Sequence, residues 1–199
     1  MTPDPRDISV LIPAAGAGER LGFGPKALLP LAGRPVLDWV LGKARCLGDE
    51  VVVALPAGAA PPARCQALVG GATRQESVHR LVRAASRPWV LVWDAARPFG
   101  SVGLAREVLA QAAAQGAAAA TEPSGLPQPF QTPLGFRREL LLEVADRAAR
   151  EGWVESSTMA LVLRAGKQAA CVPGEAGNIK LTTPQDWKRA PSLSGLLAP

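Results

Sequence analysis

The sequence predicts an α/β fold, a three-layer sandwich with a mostly parallel central sheet. Three observations carry this expectation. Short, continuous apolar runs at residues 8–12 (ISVLI), Glu50–Leu55 (EVVVAL) and 89–93 (WVLVW) read as strands buried on both faces. Segments with apolar residues at helical spacing separate them, and such alternation argues for parallel strands joined through helices. The first and third runs also end in small-residue turns, Pro-Ala-Ala-Gly and Asp-Ala-Ala-Arg-Pro, at the carboxyl ends where open parallel sheets bind ligands.

Taken in order, Pro35 suits the first turn of a helix over residues 35–46, with Val36, Leu37, Val40, Leu41 and Ala44 on one face. Glu50–Leu55 is the second strand, followed by a Pro/Gly/Ala loop. Gly70-Gly71 precedes a helix over 75–85 that turns Val78, Leu81, Val82 and Ala85 inward. After the third strand come a helix over 103–115, the small-residue strand Ala117–Thr121 and a helix over 138–150. The remainder offers strands at 169–172 and 179–182 and a short helix opening at Pro184. Residues 191–199 read as a loose tail, and residues 1–199 as a single domain.

Bulk properties exclude several classes. A 199-residue chain buries enough surface to need no disulfide or metal staple. No apolar run approaches the roughly 20 residues that span a bilayer. The opening MTPDPRD lacks the basic-then-apolar pattern of a secretory signal, so the cytoplasm is the expected compartment. The net charge of +5 comes from scattered residues with few aromatics between them. A small polyanionic substrate explains it better than nucleic acid does. Cys46, Cys65 and Cys171 lie far apart, in no metal or redox spacing, and are expected to be buried and idle. His79, the single histidine, is expected to have no carboxylate beside it and reads as structural, as Trp93 reads as packing.

The stretch 13–31, PAAGAGERLGFGPKALLPL, sets the functional question. It is no Walker loop, because Gly24-Pro25-Lys26-Ala27 lacks the hydroxyl that holds magnesium. It is no dinucleotide fingerprint either: the glycine spacing is one residue long, and Pro25 interrupts the helix that should follow. Glycines at 16, 18, 22 and 24 allow backbone N–H groups to approach an anion, and Arg20 and Lys26 add mobile positive charge. A backbone cradle with two cations suits a triphosphate, whose charge must be neutralised as a phosphorus–oxygen bond breaks. The bland alternative is a flexible strand-to-helix connection. Ser77 likewise has a helix-decorating alternative, and Asp94 with Arg97 the alternative of an ion pair closing a turn.

These residues resemble a known pattern. P-A-A-G-x-G-x-R-L followed by P-K-x-L-L-P-L is similar to the signature of the sugar and polyol-phosphate nucleotidyltransferases. G-G-x-x-R-x-x-S-V from Gly70, D-A-A-R-P from Asp94, Q-T-P from Gln131 and N-I-K-L-T from Asn178 follow in order. Together they resemble the 2-C-methyl-D-erythritol 4-phosphate cytidylyltransferase family, from residue 8 to about residue 188. The resemblance implies a Rossmann-like sandwich of the nucleotide-diphospho-sugar transferase type. It also implies transfer of CMP from CTP to a polyol phosphate, with magnesium and release of pyrophosphate, in non-mevalonate isoprenoid biosynthesis. It assigns Ala14, Ala15, Gly16 and Gly18 to backbone contacts with base and phosphates. Arg20 and Lys26 fall on transition-state stabilisation, and Gly71, Ala72 and Ser77 on the cytosine pocket. Asp94 and Arg97 fall on the acceptor and ribose, and Lys180 on the acceptor phosphate and catalysis. No side chain is assigned to the metal.

The chain also departs from that pattern. The family's projecting arm, which positions the acceptor and mediates dimerisation, has no room between Thr121 and Gln131, so acceptor identity and a homodimer stay open. Ser157-Thr158 replaces an acidic pair, and Trp93 a histidine. Three readings therefore stand: this cytidylyltransferase with a trimmed arm, a related nucleotidyltransferase for another phosphorylated polyol, sugar or cofactor, and a catalytically silent nucleotide-binding module. Arg20, Lys26, Asp94, Arg97 and Lys180 together argue against the last, since binding alone would not need them all.

Overall fold

The computed structural model describes residues 1–16, 18, 24–122 and 130–198. The first strand, β1 (Ile8–Pro13), runs into the glycine loop. A small hairpin follows, β2 (Pro30–Leu31) with β3 (Arg34–Pro35), and then α1 (Val36–Ala44) and β4 (Glu50–Leu55). Next come β5 (Gln66–Val69), α2 (Arg74–Ala84), β6 (Trp89–Val92), α3 (Val102–Gln115), β7 (Ala117–Thr121) and β8 (Phe130–Arg137). The chain finishes with α4 (Arg138–Glu151), α5 (Thr158–Arg164), β9 (Ala170–Val172) and α6 (Pro184–Arg189).

Apart from the hairpin, the strands form one sheet in the order β5-β4-β1-β6-β8-β7-β9. Its pairings are parallel except those of β8, which runs against β6 and β7. Because β8 is reversed, its opening residues reach the edge where β1, β4, β5 and β6 end. Successive residues of β1 and β4 point to opposite faces, and both faces are covered. Val10, Ile12, Val51 and Val53 pack with α1 and α3; Leu11, Val52 and Ala54 pack with α2, α4 and α5. Fully burying such a side chain contributes roughly 1.5–3 kcal/mol, which is why these strands read as unbroken apolar runs. The expected three-layer α/β sandwich is therefore the observed one.

Several expectations fail locally. Residues 179–182 form no strand; Leu181 N–H instead donates to Ala96 O at 2.8 Å. The strand β8 is hidden in the sequence because Pro133 and Gly135 argue against a strand, and the ladder accommodates them with an irregularity between Ala119 and Ala120. Edge strand β5 is too short and too exposed to show a pattern. Residues 190–196 form a 3-10 helix rather than a loose tail, and Leu197 is buried with Leu31, Val36, Phe99 and Leu181. The cysteines are not buried: Cys46 and Cys171 are exposed and Cys65 half-buried. His79 does have a carboxylate beside it, since Nε2 lies 2.6 Å from Asp146 Oδ1 of α4.

Candidate active site

Three strand ends converge on one cavity of about 340 Å3 at the carboxyl edge of the sheet. The end of β1 supplies Pro13, Ala14, Ala15 and Gly16; the end of β5 supplies Gly71 and Ala72; the end of β6 supplies Asp94 and Ala95. Thr73, Arg74 and Ser77 enter from the start of α2, Lys26 and Ala27 from the short 3-10 helix Lys26–Leu28, and Lys180 from the segment before α6. Of the expected residues, Ala14, Ala15, Gly16, Lys26, Gly71, Ala72, Ser77, Asp94 and Lys180 thus meet in one place. The volume lies within the roughly 300–1,000 Å3 of small-molecule sites. A neighbouring cavity of about 410 Å3 between α2, α4 and α5 shares Thr73 and Arg74 with it but is otherwise walled by apolar residues such as Val78, Leu141, Val144 and Trp153 and by Glu76 and Glu155, whose carboxylates do not suit a triphosphate.

Arg20 lies outside the described residues. Gly18 does not line the cavity. Its φ is +74°, and a Cβ there would stand 1.9 Å from Gly24 O, so it lets the loop close on itself. Arg97 does not line it either: its guanidinium donates to Asn178 O, which fastens the turn after β6 to the segment carrying Lys180. The alternative of a bare Asp94–Arg97 pair is therefore not what closes this turn. Burial pulls the Arg97 pKa below its ordinary value, against the attraction of Asp94 and Glu122.

The turn after β6 is held from several sides. Asp94 N–H donates to Thr132 Oγ1 at 3.1 Å, and Asn178 Nδ2 donates to Thr132 O at 2.9 Å and Gln131 Oε1 at 3.1 Å. The Q-T-P and N-I-K-L-T stretches thus act together, as the frame that places Asp94 and Lys180. Beneath them the buried Lys43 ammonium donates to Pro98 O at 2.8 Å, Gly100 O at 2.9 Å and Leu196 O at 2.5 Å, tying the C-terminal segment to the same turn.

On the β5 side, a Cβ at Gly70 would stand 2.2 Å from Ala15 Cβ, so only glycine lets the two loops approach. Ser77 Oγ donates to Thr73 O at 2.9 Å and accepts from Gly71 N–H at 3.0 Å, shaping the turn as well as lining the cavity. Three amides assigned to the nucleotide in fact already donate within the chain: Ala14 to Ala54 O, Gly71 to Ser77, and Ala72 to Glu76 Oε2 at 2.9 Å.

The charged centre is Asp94. Arg74 approaches its Oδ1 with Nε at 2.8 Å and Nη2 at 2.7 Å, and Lys180 Nζ approaches Oδ2 at 2.7 Å. Burial alone would raise the Asp94 pKa; the Arg74 and Lys180 charges overcome it and hold the carboxyl well below the usual carboxylate range. Sequence reasoning misses Arg74 as a site residue, although its place in G-G-x-x-R is a signal. Asp94 is the one carboxylate among the described lining residues, and both its oxygens are engaged. The described side chains therefore do not fit a magnesium cage.

Comparison with known proteins identifies the family to which the chain belongs. Residues 8–193 match the family model described as 2-C-methyl-D-erythritol 4-phosphate cytidylyltransferase. An enzyme of that name from Thermus thermophilus is 46% identical, over 94% of this chain and 97% of its own. One from Deinococcus radiodurans is 42% identical, over 98% and 92%. A crystal structure of the enzyme of that name from Thermus thermophilus superposes with a TM-score of 0.84 at 42% identity, covering 94% of this chain and 98% of that one. The chain belongs to the 2-C-methyl-D-erythritol 4-phosphate cytidylyltransferase family of nucleotidyltransferases.

Proposed function

We propose that the protein transfers CMP from CTP to 2-C-methyl-D-erythritol 4-phosphate and releases pyrophosphate. The observation that carries this reading is the single cavity in which the loops after β1, β5 and β6 meet Lys26, Asp94 and Lys180, in a chain of this family. In the proposed reaction an oxygen of the acceptor phosphate attacks the α-phosphorus in line. The bond from that phosphorus to the bridging oxygen breaks, and the electron pair leaves with pyrophosphate. No protein nucleophile is needed, so catalysis consists of positioning and charge stabilisation. Lys26 and Arg20 neutralise the departing phosphates; Lys180 draws the acceptor phosphate toward the side of the cavity where Asp94 lies. Magnesium, when bound, screens the triphosphate, and we assign it to the nucleotide rather than to protein ligands.

A cytoplasmic location belongs to the same reading, and fractionation of the source cells tests it; separately, the described residues contain no helix long and apolar enough to cross a membrane. A homodimer belongs to the family resemblance, and sedimentation velocity on the purified chain tests it. One observation favours a different acceptor: Thr121 and Phe130 are paired in the β7–β8 ladder, so a short connection stands where an acceptor-binding arm is expected. The deciding experiment follows pyrophosphate release with magnesium, each nucleoside triphosphate and a panel of phosphorylated polyols. Turnover restricted to CTP with 2-C-methyl-D-erythritol 4-phosphate supports the proposal. Turnover with another pair moves the assignment to that pair, and none with any pair leaves a binding module.

A further inference from the structure

Arg74 is held at both ends of its guanidinium. Nε and Nη2 close on Asp94 Oδ1, while Nη1 donates to Thr158 Oγ1 at 3.1 Å. The two anchors are firm. Arg74 is the first residue of α2, whose N-cap Thr73 accepts from Glu76 N–H. Thr158 is the first residue of α5, whose N-cap Ser157 accepts from Ala160 N–H, and it is 3% exposed. The starts of the two helices are further laced by Gln75, which donates to Trp153 O and accepts from Glu155 N–H.

Lys180 is the outer partner of the same carboxylate. Its side chain is 37% exposed against 8% for Asp94, and it reaches Asp94 from a segment without strand or helix. An incoming phosphate dianion competes with Asp94 for the Lys180 ammonium. Were Lys180 the sole counterion, its departure would strand a buried carboxylate, and the cost would be charged against binding of the substrate. Arg74 removes that cost because it already compensates Oδ1. Thr158 offers a neutral hydroxyl to an N–H of Nη1, so it orients the guanidinium without drawing its charge from Asp94.

We propose that Arg74, oriented by Thr158, is a positioning residue that acts as the standing counterion of Asp94, so that Lys180 can exchange Asp94 for the phosphate of the acceptor. The kinetic half of this inference rests on the activity proposed above; the electrostatic half does not. Among the described residues, Arg97 on its own turn and Lys26 lining the same cavity add positive charge, and Glu122 adds negative charge acting on Arg97. They do not touch the carboxylate oxygens in the described contacts.

The electrostatic half is tested on the full chain without substrate, by following the Asp94 carboxyl carbon by NMR as pH is lowered. With Lys180→Gln the carboxyl should still titrate below its ordinary value of 3.8. With Arg74→Gln added, burial acts against weaker opposition and the titration should rise above that value. A titration above 3.8 with Lys180→Gln alone overturns the proposal. The kinetic half is read from the two Michaelis constants. Arg74→Gln should raise KM for the polyol phosphate by about ten-fold or more while KM for CTP moves less than about two-fold. Arg74→Lys should recover part of the loss. Thr158→Val, which keeps shape and packing, should shift the acceptor KM the same way by a smaller factor, and it serves if Arg74→Gln does not fold. Equal rises in both KM values overturn the proposal, as does an acceptor KM unmoved by Thr158→Val. If the unaltered enzyme releases no pyrophosphate with this acceptor, the proposed activity falls, and the carboxyl titration still decides whether Arg74 is the counterion.

Discussion

Lys180 Nζ and Asp94 Oδ2 lie 2.7 Å apart across the mouth of the cavity, although 86 residues separate them in the chain. Asp94 is the more buried partner, and its depressed pKa means that the folded protein keeps it ionised. The sign follows: this carboxylate contributes stability at pH values above its unfolded 3.8, and the contribution is lost as pH falls toward the lower folded value. Asp94→Asn should leave Arg74 and Lys180 without their shared anion and cut kcat/KM by about a hundred-fold or more. Circular dichroism should show the fold retained at neutral pH. Wild-type activity should show no acidic limb from this group between about pH 5 and 7. A limb present in the wild type and absent from Asp94→Asn would contradict the ionised assignment.

Lys26 enters the cavity from the short 3-10 helix Lys26–Leu28, which begins where the glycine loop ends, and its neighbour Ala27 is buried. Backbone bonds from Leu28 N–H to Pro25 O at 2.9 Å and from Leu29 N–H to Lys26 O at 3.3 Å hold this turn. Lys26→Ala should therefore lower turnover by roughly 10²–10³-fold, the magnitude of losing one pre-placed transition-state charge. The melting temperature should change little. Product formation undiminished without this ammonium would remove Lys26 from the chemistry.

Local pattern reveals the sandwich and hides its seams. The buried strands β1, β4 and β6 announce themselves because both faces are covered, and Pro13–Gly16 and Asp94–Arg97 stand out because such strands end in functional turns. The frame that holds Asp94 is not legible. Thr132 reaches it only because β8 is antiparallel, and Pro133 and Gly135 disguise that strand. Arg74 sits in plain view inside G-G-x-x-R, but its pairing with Asp94 spans 20 residues and carries no local period. The C-terminal turn is hidden for the same reason. Leu197 and Ala190 are ordinary surface-like residues in sequence, and only the hydrophobic cluster with Phe99 and Leu181 gives them a place.

At Gly70 the missing side chain sets the spacing between two loops. A methyl group there would stand 2.2 Å from Ala15 Cβ and 2.9 Å from Ser77 Oγ, and neither neighbour is a flexible chain end that can swing aside. Gly70→Ala should push the 70–72 turn away from the 14–16 turn. The loss should fall on the nucleotide: KM for CTP rising by about ten-fold or more, with KM for the acceptor less affected. Equal effects on both substrates would show that the turn serves the whole cavity rather than its nucleotide side.

Lys43 is the one fully buried cation among the described residues, 1% exposed, with three carbonyl oxygens around its ammonium. Lys43→Met fills similar space but offers no donor, so Pro98 O, Gly100 O and Leu196 O lose their partner. Each buried acceptor left unsatisfied costs about 1–3 kcal/mol, so the variant should be destabilised by several kcal/mol in denaturant titration. Burial also pulls the Lys43 pKa from 10.5 down to about 8, against the opposing pull of Glu175. Below about pH 8 both folded and unfolded chains carry the proton, and this group adds no pH dependence. From about pH 8 to 10.5 the folded chain sheds the proton while the unfolded chain keeps it. Wild-type stability, measured relative to Lys43→Met, should therefore rise across that window by at most ~1.4 kcal/mol per pH unit. A difference that stays flat there would mean that the three carbonyls hold the ammonium charged throughout, with their hydrogen bonds outweighing its desolvation.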